Sequence, residues 1–314
     1  MLALEFPLAK LNKLFEIFNA SFFFIAFIYI FLSIFTSFQA FRINEFYSEL
    51  NPDINGIQFE EINFNNKFST SLNGWWIEGE SENAFIILHG LRSNIGDKFY
   101  IDLIGEFNDL GFSVLAFDFR NHGRSGEGKF SFGVEEVYDV EASIKYIREN
   151  KNIENIFIWG FSFGATTGLN YSLYNPKGSD VSGIIADTPY YDPIEVLIDE
   201  VSKRTPLNSY LSKLLKPGII ISSKVFFDND LENIKNIFES ETINNTPSLI
   251  FGCKNDTTVP NSHPRRIKKK LGQMSKYVEF ENCSKHGDSF IYNNEEYIYE
   301  INNFLNEQFE IKNK

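Results

Sequence analysis

The 314 residues are 43% hydrophobic and 16% aromatic, enough for one enzyme-sized core of roughly 250 residues with a segment to spare. A formal charge of -13 removes the general electrostatic case for binding a phosphate backbone, so nucleic acid is not an expected partner. The four histidines, His89, His122, His263 and His286, are scattered, and neither H-E-x-x-H nor a clustered Cys/His spacing occurs. No metal is implied, and without G-x-G-x-x-G after a strand no dinucleotide or other cofactor is implied either.

In chain order, residues 1–16 form a short polar lead carrying Glu5, Lys10, Lys13 and Glu16. Residues 17–41, "IFNASFFFIAFIYIFLSIFTSFQAF", then run without a charge. The stretch from Ser21 to Phe41 alone, at ~1.5 Å per residue, can cross a ~30 Å hydrocarbon core, which predicts one transmembrane helix. A cleavable signal peptide is the rival reading, but the preceding polar region is long for one and carries Glu5 and Glu16, and "SFQA" is a poor small-x-small site. Lys10 and Lys13 precede the span, while Arg42 follows it among Glu45, Glu49 and Asp53. The balance leans by one basic residue towards a cytoplasmic N-terminus and an extracytoplasmic remainder.

Residues 42–56 read as a juxtamembrane linker ending in Asn51-Pro52-Asp53-Ile54-Asn55-Gly56, and 57–314 as one catalytic-size domain. Strands are predicted at Ile57–Phe64, Phe68–Ile77, Ala84–Leu88, Phe112–Phe117, Ile156–Trp159, Ser182–Ala186, Ser248–Phe251 and Tyr277–Phe280. Helix-period segments such as Val134–Glu149 and Glu295–Phe309 lie between or after the later strands. The alternation implies an α/β fold with a mostly parallel sheet covered on both faces. The connection at 190–246 is far longer than an ordinary βα linkage and predicts a small helical cap. Its apolar residues, Val196, Leu197, Ile198, Leu211, Leu214, Leu215, Ile219, Ile220, Ile221, Phe226 and Phe227 among them, either line a pocket or pack the cap down. Arg265, Arg266, Lys268, Lys269 and Lys270 have the spacing of the wet face of one helix, with an anionic-lipid patch as the alternative.

Chemistry concentrates at "IWGFSFGATTG". A strand ends at Trp159 and small residues open a helix at Ala165, so Gly160-Phe161-Ser162-Phe163-Gly164 is a strand-turn-helix corner. It resembles the nucleophile elbow of the α/β-hydrolase superfamily, in which a serine hydroxyl stands exposed on a strained turn. A serine needs a base, and the base an orienting carboxylate. The resemblance places the base at His286 in "CSKHGDS" and the acid at Asp256 in "LIFGCKNDTTVP", in the superfamily's order Ser, acid, His. A turn-capping Asp256 and a surface His286 are the plainer alternative.

"ILHGLRSN" resembles the superfamily's oxyanion loop, which implies the backbone N–H groups of Leu91 and Phe163 as oxyanion donors, with His89 shaping the loop. "AFDFRNHGRSGEG" resembles its D-x-R-x-H-G-x-S signature, with His122 as a structural residue. The likeness extends over about Phe64 to Phe309 and is closest to membrane-anchored hydrolases of the serine-aminopeptidase-like branch, where Gly74-Trp75-Trp76 also has a counterpart. It implies a serine hydrolase acting on an ester or thioester with an apolar acyl part, a small or lipid-like substrate, and no cofactor. A peptidase of the same fold, using Glu195, Asp199 or Glu200 for a substrate amino group, and a non-catalytic binding module remain alternatives. The resembled fold also sets the strands before Asp256 and His286 side by side, so Cys253 and Cys283 either form a bridge between the acid and base loops or remain two buried thiols.

Overall fold

A computed structural model of the chain describes residues 8–43, 48–174, 180–242 and 245–309. The chain forms two compact units, Met1–Arg42 with Leu197–Asp230, and Ile43–Val196 with Leu231–Lys314.

The larger unit is built on eight strands: β1 (Glu60–Asn65), β2 (Ser71–Ile77), β3 (Asn83–Leu88), β4 (Ser113–Phe117), β5 (Asn155–Phe161), β6 (Gly183–Asp187), β7 (Ser248–Cys253) and β8 (Ser275–Phe280). They lie in the order β1-β2-β4-β3-β5-β6-β7-β8. Strand β2 runs antiparallel to both β1 and β4, and the pairs from β4 through β8 are parallel. All eight strands fall on the segments predicted from sequence. Strand β4 and all of β3 after Asn83 are buried, as continuous apolar runs in a sheet covered on both faces must be.

Helix α2 (Lys98–Asp109) carries the chain from β3 to β4, and α3 (Val137–Asn150) carries it back across β3 to β5. The chain therefore reverses its winding at β3, and the carboxyl ends of β3 and β5 form the switch point beyond which open α/β sheets bind ligands. Helices α4 (Phe163–Tyr174), α9 (Ser262–Leu271), α10 (Asp288–Tyr292) and α11 (Asn294–Phe309) complete the layers together with α8 (Asn233–Glu239). One aromatic stack, Phe85 on Phe107 with centroids 4.0 Å apart, pins α2 to the sheet. The basic run sits on α9, whose Ile267 and Leu271 are buried, in keeping with a helix wet on one side. Arg265 and Arg266 on that helix are ion-paired, to Glu279 and Glu195. Within the stretch expected as a linker, Pro52–Asn55 forms a 3-10 turn capped by Asn51, whose side chain accepts from the Asp53 N–H.

The smaller unit holds α1 (Leu8–Phe41), which takes in the residues before the charge-free run, where Lys10, Lys13 and Glu16 are good helix formers. Helices α5 (Pro193–Arg204), α6 (Ser209–Leu214) and α7 (Lys216–Phe227) make the 190–246 connection helical as expected. Its apolar residues do not share one fate. Ile198, Leu215 and Ile219 are buried, whereas Leu211, Leu214, Ile221 and Phe226 face outward.

Candidate active site

Ser162 closes β5 and opens α4 with φ 52°, a left-handed backbone that a side-chain-bearing residue holds only when its surroundings impose it. Its N–H donates to the Asp187 carbonyl at 2.8 Å and its carbonyl accepts from Thr166 at 3.0 Å, so both sides of the turn are fixed. The flanking glycines have separate reasons. A β-carbon on Gly160 would lie 2.6 Å from the Ala165 nitrogen, and one on Gly164 would overlap the Leu88 carbonyl and lie 2.7 Å from the His89 oxygen. Both are required for the turn to pass between its own helix and strand β3.

Asp256 lies on the loop after β7, and its buried carboxylate is committed on both oxygens. Oδ1 accepts the N–H groups of Thr258 at 2.7 Å and Val259 at 2.9 Å, while Oδ2 meets His286 Nδ1 at 2.7 Å. That bond directs His286 Nε2 away from the acid and fixes the tautomer in which Nε2 is free to accept. The His286 ring also packs on Phe161, centroids 4.6 Å apart, and so rests against the residue preceding the serine. Asp256 and His286 are thus brought together directly. Among the described residues no hydrogen bond joins Ser162 Oγ to His286.

Cys253 and Cys283 form a disulfide with Cα atoms 5.4 Å apart. Each cysteine precedes its partner residue, Asp256 or His286, by three positions, so the bridge ties together the loops that carry them.

The loop after β3 is held by the two histidines that sequence reading kept out of the chemistry. His89 pairs through Nδ1 with the Gly90 carbonyl at 2.8 Å and accepts the Phe119 N–H on Nε2 at 3.0 Å. His122 pairs through Nδ1 with the Arg120 carbonyl at 2.9 Å and accepts the Arg92 N–H on Nε2 at 3.2 Å. Each ring therefore needs one bare nitrogen. Burial pushes His89 down to about 4, and burial with His89 alongside pushes His122 down to about 3, so both stay neutral near pH 7. Asp118 completes the frame, accepting from Ile95 at 2.9 Å and Arg124 at 3.0 Å, and Arg120 forms a buried fork on Asp139. The D-x-R-x-H-G-x-S letters are a hydrogen-bonded brace for the loop bearing Leu91. Phe163 opens α4, so its N–H has no acceptor within the helix. Leu91 follows Gly90, whose own N–H is taken up by the Tyr100 hydroxyl at 2.8 Å.

This strand order, with a left-handed serine after β5 and a carboxylate–imidazole pair on the loops after β7 and β8, decides the fold. The chain is an α/β-hydrolase by fold. Residues 83–207 match the family model described as alpha/beta hydrolase fold. The Pyrococcus furiosus esterase Pf2001 superposes with a TM-score of 0.68 at 20% identity, over 85% of this chain and 99% of that one. A Bacillus subtilis protein, the uncharacterized YqkD, is 28% identical over 230 residues, 72% of each chain. The lysophosphatidylserine lipase ABHD12 of Danio rerio is 23% identical over 262 residues, covering 74% of this chain and 64% of the relative; for the mouse lipase the identity is 26%, covering 62% and 47%. The chain thus spans between about half and two thirds of the length of those lipases.

The site holds one group that the sequence reading missed. Asp187 ends β6 fully buried; the Tyr297 hydroxyl donates to its Oδ2 at 3.0 Å, and Trp159 Nε1 donates to that hydroxyl at 2.8 Å. Burial, opposed by the Tyr297 bond and the field of His286, pushes the carboxyl up to about 7. The next residue, Thr188, also has a left-handed backbone, φ 47°. A β-branched residue there marks a second strained corner beside the first. The available signal was an aspartate at the carboxyl end of a parallel strand, in "IIADTPY".

Proposed function

We propose that this α/β-hydrolase is a membrane-tethered serine hydrolase that cleaves an ester or thioester with an apolar acyl part through an acyl-enzyme. The observation that carries the reading is the 2.7 Å His286–Asp256 pair together with a serine held on a left-handed strand-to-helix turn. In this reading Ser162 Oγ attacks the acyl carbon and its proton passes to His286 Nε2. The N–H groups of Leu91 and Phe163 hold the oxyanion, and Asp256 stabilises the imidazolium without taking its proton. The tetrahedral species expels the alcohol or thiol, which leaves with the proton from His286. Water then attacks the acyl-Ser162 ester by the same route and releases the acid.

The relatives named as lysophosphatidylserine lipases support a lipid-like acyl substrate, and α1 supports a tether. The domain division follows the same reading: a lead at 1–16, an anchor at 17–41, a linker at 42–56 and the hydrolase domain at 57–314. Two of the three acids offered for a peptidase are already engaged, Glu195 with Arg266 at 2.5 Å and Glu200 with Arg204 at 2.8 Å, which favours the ester reading. The N-terminus is assigned to the cytoplasm and the hydrolase domain to the outer side, an assignment the disulfide supports.

The test is labelling of the full-length protein by a fluorophosphonate probe, with hydrolysis of p-nitrophenyl esters followed in parallel. Ser162→Ala should abolish labelling and lower turnover by several orders of magnitude while the fold is retained. Undiminished labelling of Ser162→Ala would remove the assignment of the nucleophile.

A further inference from the structure

Helix α7 is built inside out for a water-soluble protein. Its buried stripe is Gly218, Ile219, Ser222 and Ser223, while its outward stripe presents Ile221 at 62% exposure and Val225 at 68%, with Phe226 beside them. A helix on a soluble core buries its large apolar residues and turns hydroxyls to water. The buried stripe meets a matching one on α1. Ser37 Oγ donates to the Ile219 carbonyl at 3.2 Å and meets Ser222 Oγ at 2.5 Å, and Ser222 Oγ reaches the Ser33 carbonyl at 3.2 Å. The Gly218 N–H donates to the Tyr29 hydroxyl at 3.0 Å, and a β-carbon on Gly218 would lie 2.8 Å from that of Ser33. Phe41 stacks on Phe227 at 4.5 Å. On α1 too the hydroxyls of Ser33 and Ser37 are covered, while Phe31, Phe35 and Phe38 face outward. Beside Ile219 and the Phe41–Phe227 stack, the seam is made of a glycine and serine hydroxyls with bulky apolar residues outside, a packing used where the surrounding solvent is lipid.

The contacts run in step, Tyr29 with Gly218 and Phe41 with Phe227, so α7 lies parallel to α1 along the last part of that helix. The apolar run Leu11–Phe41 has 31 residues, more than the about twenty that a ~30 Å hydrocarbon core needs. With the bilayer set on its first part, the end of the 17–41 anchor stands at and beyond the boundary, where Gly218 of α7 meets Tyr29 and Ser33. Immediately before α7 comes α6, which exposes Tyr210, Leu211 and Leu214. From Thr205 to Phe227 the only charges are Lys213, Lys216 and Lys224, all basic in a chain of net charge -13, and the acids Asp228 and Asp230 come after the far end of α7.

We propose that the cap tip, α6 with the first turns of α7, is a second membrane contact. It seats Tyr210, Leu211, Leu214 and Ile221 in the bilayer interface and sets Lys213 against anionic head groups. The occupant of the exposed apolar face is the lipid surface that α1 enters, because the face continues the outward face of α1 across their shared seam. The inference rests on reading α1 as a membrane span.

The experiment uses full-length protein reconstituted in vesicles of brominated phosphatidylcholine and phosphatidylserine, with single tryptophans introduced as Leu214→Trp, Ile221→Trp or Val225→Trp. Phe23→Trp, in the exposed part of α1, reports the span itself. Fluorescence is read against unbrominated vesicles, with the unsubstituted protein giving the background. Quenching at Leu214→Trp should reach at least about half of that at Phe23→Trp and should decline through Ile221→Trp to Val225→Trp, as the helix rises from the membrane. Tyr210→Trp is a second, conservative probe at the same depth should Leu214→Trp not fold. Quenching at Phe23 alone overturns the cap contact and leaves the anchor standing, and cross-linking of copies through Ile221 in that case assigns the face to a second copy of this chain. Absence of quenching at Phe23 overturns the span and this inference with it.

Discussion

Asp187 makes a pH-dependent prediction that belongs to one residue. An ordinary aspartate titrates near 3.8, and burial raises this one to about 7. The sign follows from which state keeps the proton. Below pH 3.8 both folded and unfolded chains hold it and Asp187 costs nothing. Between 3.8 and about 7 the unfolded chain releases the proton while the folded one retains it, so stability falls as pH rises; above about 7 the loss is constant. At ~1.4 kcal/mol per pH unit the gap amounts to about 4 kcal/mol. Asp187→Asn keeps the shape of the protonated acid and an oxygen for the Tyr297 hydroxyl, but cannot ionise. Urea unfolding of both proteins from pH 4 to pH 8 isolates this group, because every other carboxylate is common to the two. Asp187→Asn should be close to the parent at pH 4 and more stable by about 4 kcal/mol at pH 8. Stability curves that run parallel across the range would refute a buried carboxyl that stays protonated.

Three other outcomes follow from the site. Asp256→Asn, which preserves shape but supports the wrong imidazole tautomer, should lower kcat on a p-nitrophenyl ester by about 10³–10⁴ with little change in melting temperature; near-parental kcat would disconnect Asp256 from the chemistry. Gly164→Ala places a methyl inside the Leu88 carbonyl, so the urea midpoint should fall by the equivalent of more than about 3 kcal/mol, and an unchanged midpoint would show that α4 can move away from β3. Protein purified without reductant and alkylated after denaturation should show no free thiol, and reduction should cost about 3–4 kcal/mol for a bridge spanning 30 residues; two alkylated cysteines would remove both the bridge and its support for an extracytoplasmic domain.

The sheet was legible because each central strand is a short apolar run bounded by turn residues, and such runs can be satisfied only in a two-sided parallel sheet. The places of Ser162, Asp256 and His286 after β5, β7 and β8 were legible through the resemblance to the α/β-hydrolase superfamily, and the structure brings Asp256 and His286 together. Asp187 was not. Its character depends on complete burial and on Tyr297, 110 positions away, and neither is visible in the local pattern "IIADTPY". The roles of Asp118 and Arg120 were likewise hidden inside a motif that could be matched as letters; only the bonds to Ile95, Arg124 and Asp139 turn the letters into a brace.

The cap shows the same limit from the other direction. Read along the chain, the apolar residues from Val196 to Phe227 carry no sign of what they face, and lining a pocket and packing down were equally good accounts of them. The discriminating residues were the small ones between them. Ser222 and Ser223 lie in an apolar stretch that reads "KPGIIISSKVFF", and serines there would be expected to turn to water. Their burial against Ser33 and Ser37 reverses the inside and outside of both helices at once, and a reversal shared by two packed helices is a property of their common solvent rather than of either sequence. The quenching gradient from Leu214 to Val225 measures that solvent directly.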